Sequence, residues 1–236
     1  MSGIRSNLIL MSATSISILG LFIVLTFTLN PPAIYENFVL RKPLIGSIFS
    51  LICISGAIAA LFPKQCSRPL HFQKSGKKFS AQKVYAISEG HHPECREFSA
   101  HVIRVRDHTL CAACTGLLLG ALLALIGTAL CFFIGWNIER VSVSSVLIGV
   151  AAIALGFFQL KFKGFLRLTL NTLFVLGAFL ILAGIDELFQ SLVVDLFLVV
   201  FIILWLLTRI LLSQWDHWRI CNNCKSRCRI NEPEKK

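Results

Sequence analysis

Six uninterrupted apolar runs, each about as long as a lipid bilayer is thick, constrain this chain more than any other feature. A helix needs roughly 20 apolar residues to cross the hydrocarbon core. The runs cover residues 8–29, 44–62, 115–135, 142–160, 169–189 and 192–212. Lipid cannot satisfy an open strand edge, so each run is expected to be a helix. Of the 236 residues 56% are hydrophobic and only 15% charged, which is a membrane composition. The expected fold class is therefore an all-α membrane protein. It has about six transmembrane helices and a small Cys/His-rich cytoplasmic loop and tail. Residues 1–62 form two spans, 63–114 the loop, 115–212 four spans, and 213–236 a basic, Cys-rich tail.

Proline marks two of the boundaries. Pro31 and Pro32 stop the first span and Pro63 the second, because proline ends a helix. Arg5 before an apolar run fits the front half of a signal peptide. The run is too long for one, and no small-x-small site precedes Asn30-Pro31, so it reads as an uncleaved anchor. Almost nothing separates the fifth and sixth runs. A tight turn at Phe189 to Ser191 should join them as a helical hairpin.

Orientation follows from the 23 Lys and Arg residues. With both termini on one side, that side receives Arg5, the nine basic residues from Lys64 to Arg106, Lys161, Lys163, Arg167, and the seven from Arg209 to Lys236. Only Arg41, Lys42 and Arg140 fall on the other side. The split places both termini and the long loop in the cytoplasm, in a cytoplasmic membrane crossed several times. The net charge of +11 thus tracks span ends, which argues for topology and against a nucleic-acid partner. Residues 64–83 read as a basic linker next to the bilayer, suited to anionic lipid headgroups or simply to positive-inside placement. No protein partner can be named.

The loop ends in HHPECREFSAHVIRVRDHTLCAACTG, residues 91–116. His92-x2-Cys95 and Cys111-x2-Cys114 are two short pairs with 15 residues between them. That spacing matches a zinc pattern with His replacing the first Cys. Two ligands three residues apart can meet one ion from a tight knuckle, and a hairpin brings the second pair opposite. Val102 to Val105 is β-branched enough for a strand, and Asp107-His108 suits a turn. His91 competes with His92, and His101 and His108 are further donors or plain loop histidines. Cytoplasmic thiols stay reduced, which favours metal over disulfide. A dithiol redox role shares these residues, since a helix N-terminus lowers a thiol pKa, and Thr115 could help cap that helix. Redox motifs of that type sit in an α/β domain, which this chain lacks. Cys53 and Cys131 lie inside apolar runs and read as small hydrophobes.

The tail offers His217, Cys221, Cys224 and Cys228 in a dozen residues. Zinc is the favoured occupant. An iron–sulfur cluster competes, although the spacing is not a standard ferredoxin run. Loop and tail share a membrane face, so their ligands form one site or two neighbouring ones. Trp215 and Trp218 suit an interfacial helix there.

Three acids lie at span ends on the opposite side: Asp186, Glu187 and Asp195, with Gln190 four residues after Asp186. They either reach water and headgroups or bind a proton or cation, since acids at membrane depth are costly. Arg41 and Arg140 are the only basic residues positioned to pair with them. Gly116-x3-Gly120 opens the third span and should let a second helix approach closely.

The run Cys111-Ala112-Ala113-Cys114-Thr115-Gly116, entering a Gly-spaced apolar helix after a His/Cys segment, resembles a prokaryotic integral membrane family of unknown function. That family is marked by a Cys-Ala-x-Cys-Thr-Gly signature. The resemblance covers residues 91–135 and implies a Cys-rich element at a helix start, with no reaction attached. No hydrolase triad, phosphate-binding glycine loop or nucleotide fingerprint is present, and no inverted repeat is visible. The leading expectation is one or two structural or interaction-type zinc sites rather than an enzyme. The alternatives are a membrane oxidoreductase using thiols or an iron–sulfur cluster, and a small transporter using the three acids.

Overall fold

The computed structural model describes residues 2–30, 40–61, 101–105 and 108–223. Within these, only the backbone is described at 2–6, 102, 104–105, 108–109, 217–218 and 220–223. Among the described residues there are six α-helices: α1 (Ser2–Leu29), α2 (Arg41–Leu61), α3 (Ala112–Thr128), α4 (Ser142–Phe157), α5 (Gly164–Phe189) and α6 (Leu192–Asn223). A π turn, Ala129–Ile134, extends α3, and 3-10 turns flank α4. With these extensions, six helices among the described residues are long and apolar enough to cross a membrane. The chain is an all-α, multi-pass membrane protein.

Local sequence explains the boundaries. α1 stops at Leu29, and Asn30 still donates its N–H to the Thr26 carbonyl at 3.2 Å before the prolines. Proline disfavours a helical residue before it. Pro43 sits in the first turn of α2, where a missing N–H costs nothing. The π turn ends on Gly135 at φ 82°, a left-handed conformation that glycine adopts without strain. Only Gln190 and Ser191 link α5 to α6, as the helical hairpin requires. Gln190 takes φ 49° and donates its N–H to the Asp186 carbonyl at 3.1 Å. It therefore lies just past the helix end and is exposed, not on the α5 face of Asp186.

Two helices run longer than their apolar runs. α5 begins at Gly164 rather than residue 169, which puts Arg167 in its first turn. α6 continues to Asn223 rather than stopping at residue 212. The backbone at His217 and Cys221 is thus a continuation of α6.

α5 is the centre of the bundle. Of its most apolar window 78% is buried by protein, against 22–39% for the other spans. α3 and α4 pack on it closely because small residues face it. A side chain on Gly116 would collide with the Leu168 carbonyl and Asn171, and one on Gly120 with the Thr172 carbonyl and Val175. Gly149 and Gly177 meet backbone to backbone across α4 and α5. Thr172 Oγ1 adds a 3.0 Å hydrogen bond to the Gly116 carbonyl. The small-x3-small reading of residues 116–120 is therefore borne out, with α5 as the partner. α1 packs on α6, where Trp205 Nε1 donates to the Ser17 carbonyl at 3.1 Å and Ser17 and Thr208 share a 2.8 Å bond.

Candidate functional site

An antiparallel hairpin precedes α3. Strand β1 (Val102–Val105) pairs with β2 (His108–Cys111), from Val102 opposite Cys111 to Val105 opposite His108. The expected strand at 102–105 is present, while Asp107 lies outside the described residues. β2 runs without a break into α3. Cys111 is the extended residue capping the helix, and Cys114 falls in its first turn. Both are half-buried thiols. Thr115 does not cap the helix: its Oγ1 donates backward to the Cys111 carbonyl at 2.9 Å. His92, Cys95, Cys224 and Cys228 lie outside the described residues, as do the side chains of His217 and Cys221. Among the described residues, no group of three or more His, Cys, Asp or Glu side chains comes together to hold a metal.

The hairpin is fixed to the bundle by a buried polar cluster that the sequence did not reveal. His101, just before β1, places Nε2 3.2 Å from Arg167 Nη1. A guanidinium only donates, so His101 Nε2 accepts and the ring is neutral. Burial, with Arg167 beside it, pushes the His101 imidazole down to about 4. Arg167 also lies 3.4 Å from Asp216 Oδ2 on α6, and Asp216 lies 3.6 Å from His101. One turn further in, Asn171 Oδ1 accepts from Arg209 Nε at 2.9 Å and also from its Nη2. Asn171 in turn donates to the Arg167 carbonyl at 2.6 Å. Hairpin, α5 and α6 thus meet on one chain of hydrogen bonds. The available signal was Arg209 and Asn171 inside apolar runs, where a polar side chain needs a partner.

The opposite end of the bundle gathers the three acids. Arg41, the first residue of α2, holds Asp186 Oδ1 and lies 2.7 Å from Asp195 Oδ2 through the same Nη1. It also donates to the Asp186 carbonyl at 3.3 Å. Lys42 Nζ binds Glu187 Oε1 and sits 3.7 Å from Asp186 Oδ2. Asp186 and Asp195 are buried. The expectation that these acids reach water or headgroups is corrected here: Asp186 and Asp195 reach Arg41 instead. Arg140 stays exposed and takes no part. Lys42, next to Arg41 at the start of α2, was missed, because pairing across 145 positions leaves no local pattern.

No family model, curated protein or solved structure matches this chain.

Proposed function

We propose that this is an integral protein of the cytoplasmic membrane, with both termini and the Cys/His loop in the cytoplasm, that carries a structural or interaction-type zinc knuckle where the loop meets the bundle. The orientation rests on the uneven Lys and Arg distribution.

One observation carries the zinc reading. The hairpin register sets Val102, seven residues after Cys95 in the sequence, opposite Cys111 at the start of the Cys111-x2-Cys114 knuckle. His92, Cys95, Cys111 and Cys114 are the proposed ligands, with His217, Cys221, Cys224 and Cys228 on the tail as a second set. Zinc bound there would tie the long loop to a helix already packed against α5.

Anaerobic metal analysis of the purified chain, alone and with Cys111→Ser and Cys114→Ser together, tests this. Bound zinc should fall in the variant while the wild type stays colourless. Visible absorbance would favour the oxidoreductase reading with an iron–sulfur cluster. Equal or near-zero zinc in both proteins would sink the proposal.

A further inference from the structure

At the end of the bundle away from the hairpin, two cations face three carboxylates. Arg41 and Lys42 come from the start of α2, Asp186 and Glu187 from the end of α5, and Asp195 from the first turn of α6. With every group ionised the cluster carries one surplus negative charge. It has little solvent to screen it: the side chains of Asp186 and Asp195 are 3% and 0% exposed.

The surplus charge has a matching geometric defect. Asp195 uses Oδ2 on Arg41, but its Oδ1 is fully buried with no hydrogen-bond partner among the described residues. A buried carboxylate oxygen left without a donor is costly. The second buried carboxyl, that of Asp186, stands on the same Arg41 nitrogen. Both Asp186 and Asp195 present their other oxygen to the same Nη1 of Arg41, so the guanidinium clamps them side by side. Two bare carboxylates in that arrangement repel each other. One proton between them removes the surplus charge and supplies the missing donor in a single step.

A metal cation satisfies these requirements less well. It needs several oxygen ligands, and Arg41 and Lys42 already hold Asp186 Oδ1, Asp195 Oδ2 and Glu187 Oε1. Among the described residues no metal-holding group forms. We infer that Asp186 and Asp195 are a proton-binding carboxyl pair, sharing one proton while Arg41 bridges their outer oxygens. The proton belongs to the pair rather than to either residue. This site is separate from the proposed zinc knuckle and stands or falls without it.

Infrared spectroscopy of the full chain in maltoside micelles tests the inference. At neutral pH the wild type should show a protonated-carboxyl C=O band that shifts in D2O, which lipid ester bands do not. Asp195→Asn and Asp186→Asn keep a hydrogen-bonding amide in place, so each should fold and lose that band. Absence of the band from the wild type at neutral pH would overturn the inference, whether or not the variants fold. Its persistence in both folded variants, or a sodium-dependent rise in wild-type melting temperature that Asp195→Asn abolishes, would overturn it too.

Discussion

Arg41 Nη1 lies 2.7 Å from Asp195 Oδ2 and holds Asp186 as well, so one guanidinium at the start of α2 joins the ends of α5 and α6. Removing it strands two buried carboxyls. Breaking a buried pair from one side costs about 3–5 kcal/mol. Arg41→Met should therefore lower unfolding stability in micelles by about that amount, and Arg41→Met with Asp195→Asn should recover part of it. Arg41→Lys should fall between, because the shorter side chain keeps the charge but does not carry it to the position between both acids that Nη1 occupies. An Arg41→Met protein as stable as the wild type would show that the cluster does not hold these helices together.

The approach of α3 to α5 depends on Gly116. A β-carbon there would strike the Leu168 carbonyl, a backbone atom that cannot swing aside. Gly116→Val should cost about 1–3 kcal/mol, in the range of overpacking, and should push the Cys111–Cys114 knuckle away from α5. Gly56 is the control, since nothing lies within 4 Å of its missing side chain. Gly56→Ala should be neutral or slightly stabilising. Thermal melting of the two variants side by side decides whether Gly116 is a packing contact or merely a tolerated glycine.

The features legible in the sequence are those set by local physics. Apolar length marks the spans, Pro31 and Pro32 mark the end of α1, and the β-branched run from Val102 to Val105 marks a strand. The glycines at 116 and 120 announce a close contact but not its partner, because the carbonyls they meet belong to α5. What stayed hidden depends on tertiary placement. Arg167 reads as one more positive charge at a span end, yet it is buried and grips His101 and Asp216 from two other segments. Its burial follows from α5 starting a turn earlier than hydrophobicity alone suggests. The acids were visible as costly, but the pairing that resolves the cost joins α2 to α5 and α6 across more than 140 positions.

α1 is attached to α6 through Trp205, which is wholly buried and donates Nε1 to the Ser17 carbonyl. Two contributions can be separated here. Interhelical hydrogen bonds in membranes average only about 0.6 kcal/mol, whereas deleting a buried ring costs about 3–5 kcal/mol. Trp205→Phe should thus be mild and Trp205→Ala severe. Limited proteolysis between α1 and α2 should release α1 readily only from the alanine variant. Comparable losses in both variants would mean that the hydrogen bond, not the ring, holds α1.

His101 makes hairpin docking sensitive to acid. Its ring accepts from Arg167 and is neutral, and burial followed by the Arg167 charge lowers it from an ordinary 6.5 to about 4. The unfolded chain therefore binds the proton first as pH falls. The contribution of the neutral ring is complete above about 6.5 and is lost progressively as pH falls to about 4. The total loss is on the order of a few kcal/mol, at about 1.4 kcal/mol per pKa unit. Below that window a protonated ring would face Arg167 at 3.2 Å, with Asp216 at 3.6 Å offsetting part of the repulsion. His101→Gln keeps an acceptor for Arg167 but cannot titrate. Melting temperature measured from pH 7 to pH 4 should fall more steeply for the wild type than for His101→Gln. Carboxylates elsewhere titrate in both proteins and cancel in the difference. Two parallel curves would show that the buried ring is not what couples hairpin docking to pH.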